Sequence, residues 1–66
     1  MRVTVNGTPR ELPDGSTVAS LLEQLGTARS GVAVARNESV VPCARFDAHA
    51  LADGDRIEII RAVAGG

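Results

Sequence analysis

The chain has 66 residues, 44% of them hydrophobic and 2% aromatic, with 7 basic and 8 acidic side chains giving a formal net charge of −1. A chain of this length predicts one small domain, near the size at which only about 60% of the unfolded surface is buried, so one compact core has to carry the stability. The single Cys43 excludes an internal disulfide and no His/Cys grouping has metal-ligand spacing, while dispersed charge with Phe46 as the only aromatic argues against nucleic acid as a partner.

Residues 1–5 alternate at once, with no apolar run of signal-peptide or membrane-spanning length, so a cytoplasmic protein with no membrane association is expected. Met1, Val3 and Val5 share one face, and Arg2 and Thr4 the other, which predicts a half-buried strand. Asn6-Gly7 follows, the strongest short-range hairpin signal because a type I′ turn needs positive φ at both central residues. The returning strand, residues 8–12, carries Pro9, which cannot donate to a ladder and suits an edge.

Pro13-Asp14-Gly15 breaks the pattern, and Ser16 or Thr17 then offers an oxygen to the first amides of a helix. Val18, Leu21, Leu22 and Leu25 fall on one helical stripe, with Ser20, Glu23 and Gln24 expected towards water and Gly26 at the left-handed C-terminal position. A helix this short is marginal alone and must pack across the hairpin.

Residues 31–36 read as a third strand, with Val32 and Val34 opposite Ala33 and Ala35; Asn37-Glu38-Ser39 turns the chain, and Val40-Val41 is a short strand stopped by Pro42. Residues 44–52 are expected to form an irregular or single-turn segment, with Phe46 and Leu51 plugging the end of the core. Asp53-Gly54-Asp55 is a tight turn into residues 56–61, the most strand-like segment, where Ile57 and Ile59 point one way and Glu58 and Ile60 the other. The helical crossover allows this last strand to lie parallel beside the first.

The order ββαββ, one helix across one mixed sheet, is an α+β roll of β-grasp type. The expected organisation is a single domain over residues 1–61 with a flexible tail, residues 62–66, ending in Gly65-Gly66. Terminal glycines contribute nothing to a fold, so they are either frayed ends or a segment slim enough to thread a narrow channel. Extended, five residues at roughly 3.3–3.6 Å each reach about 17 Å.

Several segments together resemble the ThiS family, the ubiquitin-like sulfur carriers of thiamine biosynthesis. They are Asn6-Gly7, Asp14-Gly15-Ser16-Thr17-Val18, Leu21-Leu22-Glu23-Gln24-Leu25, Val34-Ala35-Arg36-Asn37, Val40-Val41-Pro42, Asp53-Gly54-Asp55 and Val63-Ala64-Gly65-Gly66. Each is weak alone; their order, spacing and diglycine ending make the combination specific. The resemblance implies that Gly66 is a reactant: an E1-like adenylyltransferase joins its carboxylate to AMP at the expense of ATP, and a persulfide donor displaces the AMP to give a thiocarboxylate. Thiazole synthase then takes the sulfur. The chain itself would bind no cofactor and would not be an enzyme. Val63, Ala64 and Gly65 would thread the partner's channel.

Ala33, Ala35, Ile60 and Ala62 are expected to form an apolar patch on the helix-free face of the sheet, read as a docking surface against the plainer reading of ordinary surface hydrophobes. Arg61 is read either as a partner for acidic groups on the activating enzyme or as a solvated strand-end residue. Cys43 is expected to be a small packing residue, and His49 to sit at the surface or in loop packing. The alternatives are a molybdopterin-synthase type of sulfur carrier, a cysteine-synthesis carrier, a β-grasp interaction module without chemistry, and a modifier forming isopeptide bonds. The seven basic residues are all arginine, a compositional bias that also leaves no lysine amine for self-conjugation, only the Met1 α-amine.

Overall fold

A computed structural model describes residues 1–61. Its elements in chain order are β1 (Arg2–Val5), β2 (Thr8–Glu11), α1 (Val18–Leu25), β3 (Val32–Arg36), β4 (Ser39–Val41), a 3₁₀ turn (Cys43–Arg45) and β5 (Arg56–Arg61). They form one mixed sheet in the order β2-β1-β5-β3-β4, with β1 and β5 parallel and the other pairs antiparallel. The parallel pair is the one the helical crossover permits, and it places β5 at the centre of the sheet.

Local chemistry accounts for most of the elements. Asn6 and Gly7 take φ of 49° and 82°, the two positive values a type I′ hairpin needs, and Val5 pairs Thr8 across the turn. β2 stops at Glu11, one residue short of the sequence-based limit, although Leu12 is buried and its amide still donates to the Met1 carbonyl at 2.8 Å. A second two-residue turn joins β3 to β4 through Asn37 and Glu38, at φ of 50° and 72°.

The helix is closed at both ends. Thr17 is the N-cap, its hydroxyl accepting from the Ser20 amide at 3.2 Å while the Ser20 hydroxyl accepts from the Thr17 amide at 2.8 Å. Ser20 is therefore half-buried in the cap rather than turned to water as its place on the polar stripe suggested. The remaining early amides are satisfied by the irregular segment: Val18 donates to the His49 carbonyl at 3.1 Å and Ala19 to that of Phe46 at 2.9 Å. At the far end Gly26 sits at φ 67°, and the Gly26 and Thr27 amides reach back to Glu23 and Leu22 at 3.0 and 2.9 Å, a Schellman closure.

The core lies between this helix and one face of the sheet. Val18, Leu21 and Leu22 pack against Val3, Val34 and Ile57, each contributing about 1.5–3 kcal/mol by leaving water. Phe46 and Leu51 close one end, as expected, and the Arg29 guanidinium lies 5.8 Å from the Phe46 ring centre. Cys43 does not pack. It is exposed in the 3₁₀ turn, while Phe46 just after the turn is buried.

Candidate functional site

The strand that leads to the diglycine is held from both sides. On one side β3 pairs along its length, from Val32 opposite Arg61 to Arg36 opposite Ile57. On the other side β1 pairs only through Thr4 and Val5, after which the Asn6 side chain continues the ladder: its Oδ1 accepts from the Ile59 amide at 2.8 Å and its Nδ2 donates to the Ile59 carbonyl at 3.2 Å. One residue thus makes the turn and extends the sheet beyond it.

The base of β5 is fixed by a buried carboxylate that the sequence showed only as part of a turn. Asp55 is 5% exposed. It accepts from Arg36 Nε at 2.6 Å, Arg36 Nη2 at 3.3 Å, Asn37 Nδ2 at 3.1 Å and the Ala52 amide at 2.7 Å. Burial alone would push its carboxyl up; the hydrogen bonds from Arg36, Ala52 and Asn37, with the Arg36 charge, more than offset this and hold it below the usual range. Asn37 completes the knot by accepting from the Arg56 amide at 2.8 Å. His49 is half-buried and its Nε2 lies 3.2 Å from Arg36 Nη1.

The face of the sheet away from the helix carries the expected patch. Ala33 pairs Ile60, so the two share that face, and Ala35 lies two residues further along β3. Register adds a member that sequence reasoning missed. Val40 pairs Ala35 and is 76% exposed; Ile60, 62% exposed, lies across β3 in the neighbouring row, and Glu58 stands opposite Ala35 on β5. The signal was available, since Val41 and Val40 cannot both face the core in a strand. Arg61 is not part of this patch: it has the parity of Ile57 and Ile59 and lines a groove on the helix side. Ala62 of the expected patch, and Val63, Ala64, Gly65 and Gly66, lie outside the described residues.

Among the described residues no group of His, Cys, Asp or Glu side chains is placed to hold a metal ion. No described helix is long and apolar enough to cross a membrane.

A five-stranded mixed sheet clasping one helix, with its last strand central and leading into a diglycine, defines a ubiquitin-like β-grasp protein. The chain belongs to the ThiS family, whose model matches residues 3–66. It is 36% identical over 66 residues to the sulfur carrier protein ThiS of Escherichia coli (strain K12), covering 100% of both chains. It is 38% identical over 66 residues to a thiazole synthase of Paramagnetospirillum magneticum, covering 100% of this chain but only 20% of that one. The crystal structure of the thiamine biosynthesis protein ThiS from Geobacter metallireducens superposes with a TM-score of 0.85 at 35% identity, with 100% of each chain covered.

Proposed function

We propose that this chain is a sulfur carrier of thiamine biosynthesis that delivers sulfur for thiazole formation through the Gly66 carboxylate. The observation that carries this reading is the match to the family, running through Gly66, on a fold whose central strand ends at Arg61, five residues before it in sequence. The relatives matched along the whole chain are named for sulfur carriage and for thiazole synthesis, which favours a thiazole acceptor over a molybdopterin one. A thiazole synthase in which a similar segment forms a fifth of the chain further supports a synthase as the partner.

The chemistry follows from the weakness of a carboxylate as an electrophile. An E1-like adenylating enzyme attaches AMP to one Gly66 oxygen and releases pyrophosphate from ATP. The terminal sulfur of a persulfide attacks the acyl carbon and AMP leaves, giving an acyl disulfide. A second thiol then attacks the donor's own sulfur, the one not bonded to the acyl carbon; the S–S bond breaks, a disulfide forms between that thiol and the donor, and the thiocarboxylate leaves. The chain supplies no acid, base or oxyanion hole in this scheme; it is a co-substrate of its partners, and residues 62–66 are the segment that enters them. Consumption of ATP and a lone unpaired thiol suit the cytoplasm.

The outer patch of Ala33, Ala35, Val40 and Ile60 is the body's contact with those partners while the terminus is buried in them. Intact-protein mass spectrometry after incubation with ATP, an E1-like enzyme and a persulfide source tests the carrier reading. A gain equal to replacing one oxygen by sulfur, localised to Gly66 by fragmentation, is expected. An unchanged terminus, with the enzyme competent on its own carrier, would overturn it.

A further inference from the structure

Four of the seven arginines face a carboxylate: Arg2 with Glu11 at 2.9 Å, Arg29 with Asp47 at 3.0 Å, Arg36 with Asp55 at 2.6 Å and Arg56 with Glu38 at 3.7 Å. Among the described residues, Arg10, Arg45 and Arg61 have no such partner, and two of them border one groove. Arg10 pairs Val3 and so lies on the helix side of β2, while Arg61 ends β5 on the same side. Between them lies a groove of about 450 Å³ with Val5, Leu25 and Ile59 as an apolar floor. No acidic side chain lines it, although the chain as a whole carries a net charge of −1. The groove is a cationic collar at the root of the tail.

We propose that this collar is the seat of a carboxylate-bearing rim on the adenylating enzyme that receives the tail. The inference rests on the carrier reading and adds to it a second contact surface, on the face opposite the apolar patch. Position argues for a tail-receiving protein: Arg61 immediately precedes residues 62–66, so the mouth of any channel that admits Gly66 comes to rest within a few residues of the groove. Chemistry argues for protein carboxylates. Two guanidiniums on an open, partly apolar groove suit Asp or Glu side chains presented with their own hydrophobic neighbours, whereas a nucleic acid would need a longer basic track. Activation is the encounter in this scheme that brings the anionic tail towards a polyanionic nucleotide, so it gains from steering by positive side chains on the carrier.

The test is the kinetics of adenylation of the full chain across a salt series, comparing wild type with the Arg10→Glu/Arg61→Glu double variant. Both side chains are exposed, and thermal denaturation confirms that the variant folds. The expected result is a KM for the carrier raised about tenfold or more at low salt, with kcat unchanged and the salt dependence of wild type abolished or reversed. Equal KM and equal salt dependence for the two proteins, with wild type adenylated normally, would overturn the collar and leave the carrier reading intact. Failure of wild type itself, with the enzyme active on its own carrier, would overturn both. A defect confined to sulfur transfer from preformed thiocarboxylate to thiazole synthase would overturn the choice of partner.

Discussion

At the scale of single residues, Asp55 and Glu38 hold opposite balances. Asp55 is buried with four donor contacts, so Asp55→Asn removes the charge that Arg36 and two further donors were arranged around. Arg36 keeps some access to water, which limits the loss to about 2 kcal/mol in urea denaturation at neutral pH. Because the folded state holds this carboxyl below its usual value, its contribution is fully present above the unfolded pKa of about 3.9 and disappears as pH falls through the lower folded value. The gap between wild type and Asp55→Asn should therefore be constant above about pH 5 and close in stronger acid. Glu38 sits at φ 72°, where a side chain is crowded by its own backbone. Glu38→Gly should raise stability by up to about 1 kcal/mol in the same assay, and a fall would mean that its long ion pair with Arg56 outweighs the strain. Neither residue was legible beforehand. An Asp-Gly-Asp turn announces a bend, but which of its carboxylates is buried depends on Arg36 and Asn37, nearly twenty positions away in the chain.

Among the elements, the hairpin, the helix and β5 were readable because their signals are local. Asn6-Gly7 fixes a turn by its own φ angles, and the helix carries its own start and stop. Thr17→Ala removes the oxygen that serves the Ser20 amide and should cost about 1 kcal/mol by thermal or chemical denaturation. Thr17→Ser should recover most of it. In the segment after β4 the plugging role of Phe46 and Leu51 was legible from their apolar character, but its docking was not: residues 43–51 have no periodicity of their own, and the segment lends the Phe46 and His49 carbonyls to the helix N-terminus. The outer patch was half legible; the parity of β3 and β5 gave Ala33, Ala35 and Ile60, while Val40 needed the register of the second hairpin.

For the whole molecule, the proposed division of folding from chemistry is testable, since the core found among the described residues falls within residues 1–61 and the carboxylate proposed to react belongs to Gly66. Gly65→Val should leave the melting temperature unchanged while blocking thiocarboxylate formation in the mass-spectrometric assay; a parallel loss of stability would show that the terminus is part of the fold. The central place of β5 has a mechanical consequence. A partner that grips the terminus and draws on it loads β5 along its axis, so the bonds to β1, Asn6 and β3 are strained together in shear instead of parting one by one like a zipper. Tension applied at the working end is spread across the sheet, and the carrier can be tugged hard without unravelling from that end.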